Sequence, residues 1–337
     1  METTRALGDH SAHPAHHLPV STVGILQNTL LPSLSLHSSL SLVAYTAARV
    51  TKRVELKDWL WPSGLVANAW YNAVVHPSFS ENIPISSALS NLSWPQKLLL
   101  GGVTVWGTRL FYRIASRSVR RGKDDPRYDG VKQESGFWNK AFFTVFLPEA
   151  VFQAVIGLGW SVPFTTGAAG AVTSPPLDYA GLLRGLAVGL FTAGLGMEVL
   201  ADAQIEHQKK QSDDLCRSGV WSIVRHPNYL GDALVHASFA VLAYASGIFH
   251  PVSVLGPVAN YAFLRFVGGD KENEATQESR YKSQNPSKYA QLEDWRQKKN
   301  SFWPSVKEAA NPWTWALVAI GGAGIVVESG LRRYLRA

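Results

Sequence analysis

Eight consecutive residues, Arg225-His226-Pro227-Asn228-Tyr229-Leu230-Gly231-Asp232, gather the strongest concentration of chemically capable side chains in the sequence. They stand where a basic segment gives way to an apolar one. Arg225 offers a forked donor suited to phosphate, and His226 and Asn228 add directional hydrogen bonds. Pro227 can open a helix at its first turn. Tyr229 and Asp232, three residues apart, then share one face of that helix. Arg225 and His226 have a simpler reading as anchors at a membrane border. Asp232 is harder to dismiss, because an ionised carboxylate is costly inside hydrocarbon.

Three further groups could take part. Glu198, Asp202 and Glu206 recur every fourth residue and Lys209 continues the stripe, so all four lie on one helix face. Glu206 and Lys209 suit a solvated helix end, whereas Glu198 falls inside an apolar window and needs a partner. Glu272, Glu274, Glu278, Arg280, Tyr281, Lys288 and Tyr289 form a second group, whose plainer reading is a solvated charged face. Arg109 to Arg113, together with Asp124-Asp125-Pro126-Arg127-Tyr128, forms the third; Arg109 is expected to face the interior of a bundle.

The elements that must position these residues read as membrane helices. Mean hydropathy is only -0.02, but the apolar residues are segregated. Windows of roughly 18–20 residues, enough to cross a bilayer core, lie near 23–48, 59–76, 97–115, 138–158, 180–201, 229–248, 251–268 and 313–331. The first is diluted by Gln27, Asn28, Pro32, His37 and serines. Many of the 12 Trp and 11 Tyr fall near window ends, as in an interfacial belt. The segments 49–57, 116–137, 201–227 and 269–312 hold four, six, four and eight Lys or Arg, while 77–95, 159–180 and 247–256 hold none. Bases are retained on the cytoplasmic side, so the basic connections are expected there. Arg332, Arg333 and Arg336 break the pattern, which leaves open a last window that re-enters or a miscounted span.

The expectation is therefore an all-α, multi-pass bundle of roughly seven or eight spans, with a short structured cytoplasmic segment before the last. Residues 1–20 read as a disordered tail, 21–331 as a single transmembrane domain and 332–337 as a tail. Within the polar segment, good helix formers over Lys271–Lys282 precede an Asn285-Pro286-Ser287 turn and a second helix near Lys288–Lys299. Glycines at 181, 185 and 189, and again at 321, 322 and 324, read as close helix packing. The net charge of +7 resides in loops bordering spans, which argues against nucleic acid. The single Cys216 excludes a disulfide scaffold and argues against a zinc cluster, so no metal site is expected.

These residues together resemble the steroid 5-alpha-reductase-like superfamily of membrane proteins, in particular its branch known as a domain of unknown function. Arg225 to Asp232 resembles the RHPNYxGE/D block shared with sterol reductases. Glu198-x-x-x-Asp202-x-Gln204, then Lys209 and Gly219-Val220-Trp221, resembles the approach to that block. Glu274, Arg280, Tyr281, Pro286 and Tyr289 followed by Pro304 resemble the E…RF…PxY…P tail. Arg109, Gly122 and Asp125-Pro126-Arg127-Tyr128 resemble an earlier signature, so the likeness runs over 109–304.

The resemblance implies a bundle holding NADPH at the cytoplasmic membrane border, beside a lipid-accessible pocket. Arg225, His226, Asn228, Tyr229, Glu274 and Arg280 would line the cofactor, with Tyr281 and Tyr289 from the tail and Lys209 near the phosphates. Asp232 aligns with an acidic position near the reacting centre, and Asp232 and Tyr229 are the candidate proton donors. Leu292 stands where the tail usually has a second tyrosine, which weakens the contact there. The implied activity is reduction of an activated carbon-carbon double bond in a steroid, sterol or enoyl lipid, in the endoplasmic reticulum membrane. A methyltransferase using S-adenosylmethionine is the alternative, since the isoprenylcysteine methyltransferases share an Arg-His-Pro-x-Tyr block; a non-catalytic lipid or sterol binder is another. Asn228 and Asp232 favour the reductase. Lipids and a lipid-like substrate are the expected partners.

Overall fold

The computed structural model describes residues 22–166 and 175–335, and every regular element among them is helical. The expected N-terminal tail lies outside the described residues. The principal helices are α1 (Leu31–Thr51), α2 (Leu56–Trp70), α3 (Trp94–Arg121), α4 (Leu147–Thr166) and α5 (Leu177–Gln211). After these come α6 (Pro227–Ala245), α7 (Leu255–Ala262), α8 (Asp270–Gln284), α9 (Pro286–Lys298) and α10 (Pro312–Tyr334).

Three helical stretches are long and apolar enough to cross a membrane: Phe137–Thr166, Asp178–Gln211 and Pro312–Tyr334. Other apolar windows are helical but diluted by polar side chains. Arg109, Arg113 and Arg117 stand on α3, Asn228, Asp232 and His236 on α6, and a series of serines on α1. Over 251–268 the chain forms a 3-10 turn (Pro251–Val254), the short α7 and a π turn (Phe263–Val267). Pro251 and Pro257 remove amide donors there. Gly256 lies so close to α4 that an added Cβ would stand 2.5 Å from the Gly159 nitrogen.

α5 is the spine of the bundle, packing against α6 on one side and α10 on another. Glycines make both seams tight. A Cβ on Gly194 would stand 2.6 Å from the Gly231 carbonyl oxygen, and one on Gly231 would stand 2.6 Å from that of Gly194. On the other seam, a Cβ on Gly321 would meet the Gly189 oxygen at 2.9 Å and one on Gly324 the Thr192 side chain at 2.4 Å. Of the other glycines in the two series, Gly181 and Gly322 face open space. Leu182, Leu186 and Val199 on α5 and Val318, Val326 and Val327 on α10 are exposed, as a lipid-facing surface requires.

α10 runs unbroken through the terminal arginines Arg332 and Arg333 to Tyr334. Near this end the Glu328 carboxylate accepts from the Trp94 indole at 2.8 Å and pairs with Arg332 at 3.3 Å. Trp94 begins α3, whose opposite end carries the bases Arg117, Arg120 and Arg121. The last helix therefore runs from the basic end of the bundle to the other end, instead of turning back.

At the basic end, α8 and α9 form a helical cap on α5 and α6. Asn285 caps α9 by accepting from the Lys288 amide at 3.0 Å, and Pro286 follows at its first turn. Tyr281, Leu292, Trp295 and Phe302 bury themselves against Met197, Val220, Trp221 and Leu230. Burying each such side chain contributes about 1.5–3 kcal/mol, enough to hold a cap that is otherwise polar.

Candidate functional site

The block at 225–232 begins α6 as its Pro227 suggested, and two backbone contacts fix its approach. The amides of Arg225 and His226 donate to the carbonyls of Asn300 and Ser301, each at 3.0 Å. The segment ahead of it is also held. Gly219 has φ +66°, and an added Cβ would collide with the Gln204 side chain at 2.2 Å. The Gln204 oxygen accepts from the Val220 amide at 2.9 Å, and the Trp221 indole donates to the Ala201 carbonyl at 3.0 Å. The Gln204 and Gly219-Val220-Trp221 motifs are thus two halves of one joint.

Glu274 is the hub of the block. Arg225 donates to it from Nε at 2.8 Å and from Nη2 at 3.0 Å. Arg296 adds a contact at 3.2 Å, and His226 Nε2 lies 3.0 Å from the same carboxylate. Arg225 Nη1 donates to the Lys299 carbonyl. Burial pushes the Glu274 carboxyl upward, but the hydrogen bonds from His226 and Arg225 outweigh it and hold the group down to about 2. Burial lowers the His226 ring below the usual histidine range, against the pull of Glu274. The neutral ring donates from Nε2 and stacks on Tyr229, with centroids 5.4 Å apart and planes 9° apart. The Tyr229 hydroxyl accepts from Asn273 at 3.2 Å.

Beside this hub is a cavity of about 220 Å³ between α3, α5, α6 and the cap. Of the residues singled out from sequence, Lys209, Arg225, His226, Asn228, Tyr229, Glu274 and Tyr281 line it. Asn228 Oδ1 is buried and has no partner. Arg280 is exposed and donates to the Tyr281 hydroxyl at 3.2 Å, while Tyr289 lies under Lys282; neither lines the cavity. Leu292, in place of a tyrosine, does line it. Arg113 and Asp202, singled out in the other groups, line it too, and Arg117, Asn273 and Gln277 contribute without having been singled out. Arg113 and Arg117 follow Arg109 at four-residue spacing, a signal that was available.

Asp232 stands one turn deeper, buried at 6% exposure. It accepts from Asn260 on α7 at 2.8 Å and lies 3.7 Å from His236 Nε2. It does not hold Arg225, which belongs to Glu274. The acidic stripe of α5 finds its partners on α3. Arg109 pairs with Glu198 at 2.6 Å and with Asp202. Arg113 reaches Asp202 at 3.3 Å and Glu206 at 2.8 Å, and Arg120 reaches Glu206 at 3.1 Å. Arg109 therefore faces the interior, as expected.

The signature at 122–128 serves structure. Gly122 has φ +68° and ends α3. Asp124 accepts from the amides of Val54 and Glu55, each at 3.0 Å. Arg127 and Tyr128 reach Asp58 at 2.8 and 2.7 Å. These bonds clamp the loop to the start of α2. Among the described residues, no group of three or more His, Cys, Asp or Glu could hold a metal ion.

Residues 44–294 match the family described as a protein of unknown function, DUF1295, and the chain belongs to that family. The match begins well before Arg109. No curated protein and no solved structure matches the chain.

Proposed function

We propose that this member of the DUF1295 family is a membrane-embedded reductase that uses NADPH to saturate an activated carbon-carbon double bond in a lipid-like substrate. The observation that carries the reading is the cationic cavity at the polar end of the bundle, with the buried Asp232 carboxyl one helical turn beneath it. The likeness of its motifs to the steroid 5-alpha-reductase-like superfamily supports the same reading.

The cavity suits a polyanionic cofactor. Arg113, Arg117, Lys209 and Arg225 line it against Asp202 and Glu274. The unpartnered Asn228 Oδ1 offers an acceptor for an amide or hydroxyl, and Tyr229 and Tyr281 offer ring faces. Sites for such ligands usually measure roughly 300–1,000 Å³, so a dinucleotide would extend from this cavity over the cap surface. Arg117 and Lys209 would hold phosphate groups, while Arg225 acts chiefly through its grip on Glu274. NADPH supplies a hydride when bound. Asp232 then gives a proton to the adjacent carbon, and Asn260 keeps its carboxyl oriented. Burial of Asp232 excludes bulk water from that transfer.

A cationic lining favours the dinucleotide over S-adenosylmethionine, which itself carries a positive charge. We further propose a bundle of seven or eight spans in the endoplasmic reticulum membrane, with the basic connections and the cap in the cytoplasm. The test is parallel titration of the purified protein with NADPH, NADH and S-adenosylmethionine, followed by NADPH oxidation with unsaturated lipid ketones and enoyl lipids. Saturable NADPH binding is expected. Binding of S-adenosylmethionine alone would replace the reductase with a methyltransferase.

A further inference from the structure

Four carboxyls descend from the cavity into the bundle, and three guanidinium groups meet them. Glu206 is served by Arg113 and Arg120, Asp202 by Arg109 and Arg113, and Glu198 by Arg109. Asp232 accepts from the neutral Asn260 amide and makes no ion pair with an arginine, although the Arg109 charge acts on it. Glu198 and Asp232 are direct electrostatic neighbours. The Glu198 Cγ lies 2.9 Å from where a Cβ on Gly231 would stand, so Glu198 packs against the residue preceding Asp232 across the tight α5–α6 seam. Glu198 Oε1 is buried without a partner, and both carboxyls are almost inaccessible to solvent.

The other faces supply no further positive charge. α3 presents Arg109 and the buried Trp106 indole nitrogen, which faces both carboxyls. α7 presents Asn260, and α4 the Trp160 ring stacked on His236. His236 lies 3.7 Å from Asp232, beyond hydrogen-bond reach, and neither of its ring nitrogens has a partner. At the buried pair one guanidinium, Arg109, faces two carboxyls, and an unmatched charge in this setting takes up a proton instead.

We infer that Glu198 and Asp232 share one proton, so that the pair carries a single negative charge balanced by the arginine ladder. On the reductase reading, on which this use of the proton rests, Asp232 gives the shared proton to the substrate carbon, and the pair regains one proton from solvent before the next turnover. Glu198 touches no substrate. Arg109, which keeps its own protons, bridges Glu198 to Asp202, which lines the cavity and is a quarter exposed.

Infrared spectroscopy of the purified protein at neutral pH reads the proton directly, through the carbonyl stretch of a protonated carboxyl. Two preparations carrying 13C at the side-chain carboxyls of Glu or of Asp should each shift part of that band. Glu198→Gln and Asp232→Asn should each abolish it, because a single buried carboxylate then faces Arg109. Glu308, buried outside the bundle core, is matched instead by Lys299 at 2.6 Å. A protein with no such band overturns the inference. So does a band that moves with the Asp label alone and survives Glu198→Gln, because Asp232 then holds the proton by itself. If either variant fails to fold, the labelled wild-type protein decides. A shared band in a protein that binds no NADPH upholds the pair and removes the reductase reading.

Discussion

Gly194 and Gly231 face each other so closely that a Cβ added to either would stand 2.6 Å from the other's carbonyl oxygen. That contact lets α5 bring Glu198 beside Asp232. Gly194→Ala or Gly231→Ala must push the helices apart, and overpacking of this kind costs about 1–3 kcal/mol. Both variants should lower the unfolding temperature in detergent, whereas Gly181→Ala, which meets nothing within 4 Å, should leave it unchanged. Equal effects at the three positions would refute the tight seam.

Glu274 should make stability depend on pH. Its folded carboxyl is held at about 2, against an ordinary 4.5, so the stabilisation is complete above the ordinary value and is lost as pH falls toward 2. Allowing for solvent near the cap, the contribution is about 2 kcal/mol. Glu274→Gln should flatten the acid limb of a stability profile measured between neutral pH and pH 3. An unchanged acid limb removes Glu274 as its source.

Removing Arg109 strands Glu198, which is 2% exposed, and deprives Asp202 of one of its two arginines. Breaking a buried pair from one side costs about 3–5 kcal/mol. Arg109→Met should therefore be strongly destabilising, and Glu198→Met in the same protein should restore part of the loss. Thermal denaturation of the single and double variants measures the coupling; simple additivity would mean that the two residues act independently.

Sidedness can be read by cysteine labelling of sealed membranes. Ser86 is exposed in a connection without bases, and Gln211 is exposed at the basic end of α5. Cysteines there should react from opposite sides, while the native Cys216 is buried. Reaction of both from one side would sink the proposed topology.

Local signals made much of this legible. Pro227 and Asn285-Pro286 mark helix starts, and the structure begins α6 and α9 there. Four-residue spacing put Glu198, Asp202 and Glu206 on one face, and their need of partners followed from the apolar window. The partners themselves lie 86 to 93 residues away on α3, and only packing brings the two ladders together. Arg225 and Glu274 were both assigned to a site without being assigned to each other, for the same reason. The contact of Arg296 with Glu274 has no sequence signal. The window at 251–268 was apolar enough to suggest a regular helix, although Pro251, Pro257 and Gly268-Gly269 already marked its breaks.

The paired amides of Arg225 and His226 bear on where the working unit ends. The family match stops at residue 294, yet the carbonyls that receive those amides belong to Asn300 and Ser301. The Ser301 hydroxyl also contacts Arg265 and Asp270, at the foot of α8. A protein shortened to the matched region would keep every residue of the motif while leaving its first two amides bare. The smallest portion able to present Arg225 and His226 in their native posture extends through Ser301, so the boundary for expression follows hydrogen bonding beyond the edge of sequence similarity.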